Sequence, residues 1–332
     1  MNNGLQKRAK ILGIGSALPE KVLDNFYFEK IVDTSDEWIT ERSGIRTRHF
    51  AEPSELNSDF AANAALKALE NANVAVEDVD VIILATCTGD RPIPSTAVTV
   101  QEKMGAKNAA AMDLNAACSG FIYGLITGNA LICNGSAKRI VLIGCELLSR
   151  CIDMADRTTC VLFGDGAGAV VLGASDDETG IMGHYMQSDG SLRDLITIPA
   201  GGTEQPVSPE TVEKRLHYVH MKGNETYKYA VTNLLKSAKK AIEMSGLEPS
   251  DIDLVIPHQA NTRILQSVAK RLKVNYDEKF FINLDHIGNT SAASIPIALD
   301  EARRIGRISG GDKVLFVAFG GGLTWGGAVV QF

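Results

Sequence analysis

Four runs of almost continuous apolar residues punctuate the chain: VDVIIL at 79–84, RIVLIG at 139–144, DLVIP at 253–257 and KVLFVAF at 313–319. Alternation with polar residues would mark strands wetted on one face, so these runs predict strands covered on both faces, as in the interior sheets of α/β proteins. Two of them follow segments of helical period that read alike. ALKALENANVAVEDVDVIIL at 65–84 and AKKAIEMSGLEPSDIDLVIP at 238–257 align at an offset of 238 − 65 = 173, with Ala65, Lys67, Ala68, Glu70, Asp78, Asp80 and Ile83 recurring unchanged. Downstream, KRIVLIG at 138–144 pairs with DKVLFVA at 312–318. Each half then reaches a glycine-rich turn and a further strand, GAVVL at 168–172 or GAVVQ at 327–331. Between these, MDLNAACSG at 112–120 lies opposite INLDHIGNT at 282–290, which sets Cys118 against Gly288, one residue short of Asn289.

The pattern predicts a duplicated, layered α/β fold. Solenoid repeats are shorter and more numerous, so two copies of this length point to a pseudo-twofold pair of units. The boundary is expected near ASDDETG at 174–180, dividing an N-terminal half, 1–176, from a C-terminal half, 177–332. The helix expected after Cys118, SGFIYGLITGNALI, carries glycines at 120, 124 and 128. Each costs about 1 kcal/mol against alanine in a helix interior. Their spacing of four puts them on one face, where close approach of another backbone would offset that cost. The expected neighbour is the matching helix after Asn289, TSAASIPIALDEA, with the two crossing at the pseudo-twofold axis.

Composition narrows the function class. The chain has 332 residues, 45% hydrophobic and 22% charged, as expected of one large or two medium globular domains. A formal net charge of -7 argues against a nucleic-acid binder working by phosphate neutralisation. The six cysteines, at 87, 118, 133, 145, 151 and 160, form no CxxC and all lie in the first half, so neither a metal site nor a disulfide framework is expected. A reducing cytoplasm fits this usage. The opening MNNGLQKRAKILGIGSALPE has no signal-like apolar core, and no run reaches the roughly 18 apolar residues of a membrane span, so a cytosolic protein without membrane insertion is expected.

Four motifs could carry chemistry. Cys118 is expected at a helix N-terminus, where the dipole and converging N–H groups lower a thiol pKa, although a lone cysteine is more often a small buried hydrophobe. His258, in LVIPHQANTRI, follows directly on a strand beside Gln259 and Asn261, at the sheet edge that open α/β folds use for sites. The repeat sets that strand opposite VIILATCT of the first half, so His258 and Cys118 emerge at one edge. Asn289, in HIGNTSAASIP, sits at a loop-to-helix transition; a turn asparagine is the plainer reading, and His286 is an alternative donor. The triple glycine of VAFGGGLTWGGAV lets a backbone N–H approach a ligand and, with the N–H of Cys118, form an oxyanion hole. FGDGAGAVV at 163–171 is not GxGxxG and precedes a strand, so it reads as a tight structural turn rather than a phosphate cradle.

Taken together, DTSDEWITERSGIRTRH, LNAACSGF, FGDGAGA, PHQAN, GNTSAAS and FGGGLTWG resemble, in order and spacing, the motifs of the β-ketoacyl-acyl carrier protein synthase III family, along essentially the whole chain. The resemblance implies the thiolase-like fold, a five-layered αβαβα duplication. It implies an acyltransferase in which Cys118 takes an acyl group from acyl-CoA and then condenses it with malonyl-acyl carrier protein, initiating fatty acid biosynthesis. His258 and Asn289 would stabilise the malonyl-derived enolate, with Cys118 and Gly321 as the oxyanion hole. Trp38 and Arg157 would sandwich the CoA adenine; Arg42, Gly223, Asn224 and Asn261 would line the pantetheine route; and Arg263 would meet the acidic carrier protein. Arg42, Arg46 and Arg48 would give the entrance a positive rim. No cofactor is implied, the CoA thioester being a substrate, and a homodimer is. Ile93, where phenylalanine often stands in acetyl-specific members, would reshape the acyl pocket across that dimer. The segment 200–219 is longer or more irregular than the family's loop.

Three other readings compete: a quinolone- or polyketide-type condensing enzyme with the same triad, a papain-like cysteine hydrolase, and a catalytically dead binding protein of the same fold. The papain-like order Cys, His, Asn is present, with the histidine 258 − 118 = 140 residues on from the cysteine, but the cysteine context and disulfides of that class are not.

Overall fold

A computed structural model describes residues 8–332; the first seven residues of the basic opening segment lie outside it. Nine strands build two sheets. The first comprises β1 (Ala9–Ala17), β2 (Val81–Ala85), β3 (Ala110–Leu114), β4 (Arg139–Leu147) and β5 (Asp165–Ala174), in the order β1-β5-β4-β2-β3. The second comprises β6 (Gly180–Ser188), β7 (Leu254–Pro257), β8 (Lys313–Gly320) and β9 (Thr324–Gln331), in the order β7-β8-β9-β6. Read from β6, the second sheet repeats the first: an antiparallel pair, β6 on β9, then β9 on β8, then parallel β8 on β7. The counterpart of β3 is reduced to one parallel bridge, Val255 to Phe280, just before INLDHIGNT. The four apolar runs are β2, β4, β7 and β8, buried at nearly every position.

Helices fill three further layers. α1 (Asp36–Ser43) belongs to a flanking cap; α2 (Asn57–Ala72) and α3 (Thr96–Met104) cover the outer face of the first sheet. α4 (Gly120–Cys133) and α7 (Ser294–Arg304) lie between the sheets, and α5 (Gly223–Met244) and α6 (Thr262–Leu272) cover the second sheet from outside. Burial follows position. α5 buries one stripe, Ala230, Leu234, Ala238, Ala241 and Ile242, whereas α4 buries Phe121, Ile122, Leu125 and Ile126 around its circumference, as a helix between two sheets must. Each such side chain contributes about 1.5–3 kcal/mol of burial.

The α4 glycines do not face α7. A Cβ on Gly124 would strike Leu142 and one on Gly128 would strike Leu172, while Gly120 faces Ala85 and Ala292. They let α4 settle onto β2, β4 and β5. The close approach of the second half comes instead at Gly144 and Gly168, where a Cβ would meet the backbones of Ala292 and of Pro296 and Ile297. The repeat located the helices correctly, but the glycine face was assigned to the wrong partner because strands offer flatter surfaces for close contact than a helix does.

Arg48 corrects a second expectation. It is 0% exposed, so it forms no part of a positive rim. Its guanidinium lies over the Phe28 ring and donates to Asn25 Oδ1 at 2.8 Å and to the carbonyls of Val161 and Leu23. Burial pulls its pKa down to about 10, which still leaves it charged at neutral pH. Its stem packs under Gly288 and Gly164, either side of the Asn289 loop. Arg48→Met is expected to lower unfolding free energy by about 3 kcal/mol, because buried acceptors are left unpaired. A denaturant midpoint equal to that of the parent would contradict this account.

Candidate active site

Two copies of one turn build the centre. After β3, Asn115 Oδ1 accepts the Ala117 N–H at 3.1 Å, Ala117 takes φ +45°, a 3₁₀ turn spans Ala117–Ser119, and α4 starts at Gly120. In the second half Asn289 Oδ1 accepts the Ser291 N–H at 2.9 Å, Ser291 takes φ +50°, the 3₁₀ turn spans Ser291–Ala293, and α7 starts at Ser294. The turns correspond at 291 − 117 = 174, so Asn289 is the counterpart of Asn115 and Cys118 that of Ala292. The sequence pairing of Cys118 with Gly288 slipped by four residues because the second half inserts a helical turn, Leu284–Ile287, ahead of its asparagine.

Cys118, His258 and Asn289 line one cavity of about 190 Å³, walled by Phe163, Ile196, Ile264 and Phe319. His258 leaves β7, is 3% exposed, and donates its backbone N–H to Val317 O at 2.7 Å. Its Nδ1 lies 2.8 Å from Ser294 Oγ, which also accepts the Gln259 N–H at 3.3 Å. Ser294 can give its hydroxyl hydrogen to Nδ1, the tautomer in which the imidazole hydrogen sits on Nε2 and leaves that edge a donor. With no carboxylate partner, burial pulls the His258 pKa down to about 4, so the ring is neutral in ordinary buffer.

Asn289, 7% exposed, is bracketed by Leu162 O and the Gly164 N–H. FGDGAGAVV is therefore not a tight turn: from Asp165 it is strand β5, and its first residues form a parallel bridge to Asn289. A Cβ on Gly164 would hit Ile287 O, so the glycine admits the asparagine loop. Because Asn289 Oδ1 is held by Ser291, its amide nitrogen is the free, donating end.

The Ser291 hydroxyl and the backbone N–H groups of Cys118 and Gly321 lie close enough to the Cys118 sulfur to oppose a rise in its pKa. Gly320 makes this possible, since a Cβ there would lie 2.7 Å from Cys118 N. The sequence reading anticipated a lowered thiol pKa. Burial instead pushes it up to about 11, with the Glu146 carboxylate adding to the rise, so the resting site holds a neutral thiol beside a neutral imidazole.

A cleft of about 740 Å³ holds Trp38, Arg42, Arg157, Gly223, Asn224, Asn261 and Arg263, and shares Leu162, Gly223, Tyr227 and Asn261 with the cavity. Ser35 caps α1 through the Trp38 N–H, and one turn on, Arg42 points to the same side. The guanidinium carbon of Arg157 lies 5.1 Å from the Trp38 ring centroid and that of Arg42 5.7 Å. Asn261 Nδ2 donates to Arg42 O at 2.8 Å and its Oδ1 caps α6, tying the α1 and α6 sides of the cleft together. Arg263 stands exposed at the rim. Ile93 is 86% exposed on the loop between β2 and α3 and lines neither the cavity nor the cleft of its own chain.

Sequence reasoning missed Ser291, Ser294 and Glu146. The serines stood inside the quoted GNTSAAS; Glu146 was signalled only as an acid at the end of an apolar strand run. The segment 200–219 joins two short antiparallel strands, Ile196–Thr197 and His220–Met221, packs Ala200 and Val219 inward, and is fastened to the Asp153 loop by Arg215. Among the described residues no group of three or more His, Cys, Asp or Glu could hold a metal ion, and no helix is long and apolar enough to cross a membrane. Among the described residues, which include all six cysteines, no disulfide forms.

Models of 3-oxoacyl-[acyl-carrier-protein (ACP)] synthase III match residues 112–190 and, for its C-terminal part, 242–332. The chain is 53% identical to a β-ketoacyl-[acyl-carrier-protein] synthase III of Caldanaerobacter subterraneus subsp. tengcongensis, over 98% of both chains. The crystal structure of 3-oxoacyl-[acyl-carrier-protein] synthase III from Aquifex aeolicus, 45% identical, matches with a TM-score of 0.90 over 98% of this chain and 100% of that one. A priming β-ketosynthase from the R1128 polyketide biosynthetic pathway matches equally in fold, TM-score 0.90 over 100% and 99%, but at 32% identity. With a thiolase-like αβαβα architecture and this kinship over almost its full length, the chain belongs to the β-ketoacyl-acyl carrier protein synthase III family, acyltransferases that initiate fatty acid synthesis by condensation.

Proposed function

We propose that the protein takes an acyl group from a short acyl-CoA onto Cys118 and passes it to malonyl-acyl carrier protein, releasing carbon dioxide and β-ketoacyl-acyl carrier protein. The observation that carries this reading is the single cavity bearing Cys118, His258 and Asn289 and opening into the Trp38 and Arg157 cleft. The CoA adenine enters between Trp38 and Arg157, a guanidinium and an indole both suited to stacking. Pantetheine runs past Arg42, Gly223, Asn224 and Asn261 to the cavity. The thioester oxygen meets the N–H groups of Cys118 and Gly321, both of which act on the sulfur to lower its pKa. CoA leaves before malonyl-acyl carrier protein enters, a ping-pong order. His258 Nε2–H and Asn289 Nδ2 then hold the enolate oxygen formed by decarboxylation, two neutral donors in a site with no competing cation.

Arg263 at the rim is the contact for the acidic carrier protein, and Ile93 reaches the acyl pocket of a second copy in a cytoplasmic homodimer. Residues 1–176 and 177–332 are the two copies of one ancestral unit, and the chemistry needs no cofactor beyond the CoA thioester substrate. Family membership sets aside the papain-like reading; a polyketide-type primer remains an outcome of the test. With a panel of acyl-CoAs and malonyl-acyl carrier protein, the expected product is β-ketoacyl-acyl carrier protein from short primers. Cys118 acylation without any condensed product would overturn the second half-reaction.

A further inference from the structure

The segment 200–219 lines neither the cavity nor the cleft, yet it grips the loop that carries Arg157. Its short helix, Pro209–Glu213, is capped by Ser208 and closes with the Leu216 N–H donating to Thr211 O at 2.9 Å, which leaves Arg215 at φ +59°. Glycine is the usual residue in that left-handed position after a helix, and an arginine there is strained. Strain held in this way points to a side chain with a task. Nε and Nη2 of Arg215 both donate to the Asp153 carboxylate, a bidentate fork. The same guanidinium lies 5.3 Å from the Tyr218 ring centroid, and the Tyr218 ring packs on His217. The Val219 N–H donates to Cys151 O at 2.7 Å, so the segment holds the loop at two points.

The loop has no helix or strand of its own between the 3₁₀ turn Leu148–Arg150 and Arg157. Its path depends on Asp153. Oδ1 of Asp153 accepts the Ala155 N–H at 2.8 Å, and its carbonyl accepts the Asp156 N–H at 3.0 Å. These two bonds turn the chain just before Arg157, whose guanidinium donates to Asp33 O and lies over Trp38. Asp33 thus holds the tip of the arginine and Asp153 the turn beneath it. One carboxylate both shapes that turn and receives Arg215. The Asp153 side chain is 14% exposed and that of Arg215 52%. A pair this open to water adds little to global stability, so its effect is one of placement.

We propose that Arg215 is a positioning residue for CoA: by holding Asp153 it fixes the Arg157 turn, and so keeps the Arg157 guanidinium facing Trp38 at a separation that admits the adenine. Arg215 touches no substrate. The inference rests on the adenine reading of the Trp38 and Arg157 cleft. It confines the influence of the segment to the nucleotide end of the donor. Malonyl-acyl carrier protein brings pantetheine but no adenine, and is unaffected by it.

Arg215→Gly tests this with the fold intact, because glycine suits φ +59° and the denaturant midpoint is expected to stay at or above that of the parent. Calorimetry with free CoA is expected to show the Kd rising about tenfold, as a preorganised contact is lost. Carbon dioxide release from malonyl-acyl carrier protein is expected to stay within about twofold of the parent, on the same ground. Added to Arg157→Ala, the change is expected to weaken CoA no further, since both act through one guanidinium. An unchanged Kd for CoA, an equal loss of CoA binding and decarboxylation, or losses that multiply in the double variant each overturn the inference. Arg157→Ala by itself separates the two readings. If it leaves CoA binding intact, the adenine assignment falls and this inference with it; if it weakens CoA while Arg215→Gly does not, the inference alone falls.

Discussion

Cys118→Ala will take up no acyl group from any acyl-CoA, and condensation will fall by about 10⁴-fold, the scale on which removing a covalent nucleophile acts when binding and oxyanion contacts remain. The fold should tolerate the change. Cys118 sits in a turn fixed by backbone and by Asn115, Ser119 Oγ donates to Thr324 O at 3.0 Å, and the shorter side chain only enlarges the cavity. Intact mass after incubation with an acyl-CoA panel reads the outcome directly. The informative failure is an acyl group that moves to another thiol. Cys87 is nearest in the electrostatic sense, since each sulfur is within range of the same Glu146 carboxylate, but burial holds its thiol well above the usual range. An acylated Cys87 in the variant would mean that the thioester can be reached from the Glu146 side and that the turn geometry does not select the nucleophile.

The fold was legible in the sequence because duplication doubles every signal. β2 and β7, or β4 and β8, each carry an apolar run too short to separate strand from buried helix, yet recurrence in the same order with a helix before each pair removes the ambiguity. What repetition could not supply was fine register. The inserted turn at Leu284–Ile287 shifted the apparent partner of Cys118 by four residues, and only the shared side-chain-to-backbone hydrogen bond, Asn115 to Ala117 and Asn289 to Ser291, identifies the true correspondence.

The site was legible in part, by the same logic. Strand ends and loop-to-helix junctions are points to which topology restricts side chains, so Cys118, His258 and Asn289 could be gathered at one edge before any distance was known. Protonation was not legible. The helix terminus does lie at Cys118, but the pKa depends on how much water the surrounding walls remove, and Phe163, Phe319 and Ile264 come from segments far apart in the chain. Arg48 shows the same limit: its sequence neighbours Arg42 and Arg46 are exposed, and nothing local says that Arg48 turns inward beneath Phe28.

His258→Ala and Asn289→Ala are expected to separate the two half-reactions, each lowering malonyl-acyl carrier protein decarboxylation by about 10²–10³-fold while leaving acylation of Cys118 nearly as fast as in the parent. The division follows from where the donors point. The oxyanion hole for acylation is backbone, Cys118 and Gly321, and survives either change. The enolate relies on Nε2–H of His258, oriented by Ser294 at Nδ1, and on Nδ2 of Asn289, oriented by the Ser291 N–H at Oδ1. Because the His258 pKa is depressed from its ordinary value to about 4, the ring changes charge only as pH falls toward 4, and decarboxylation should show no histidine limb between pH 5 and 8. Ser294→Ala sharpens the point: without a hydroxyl at Nδ1 the hydrogen can move to that nitrogen, costing decarboxylation about tenfold and acylation little. Carbon dioxide release from malonyl-acyl carrier protein, set beside acyl-enzyme mass at matched times, measures both arms. Equal loss of the two in His258→Ala would make the histidine a base for Cys118 instead.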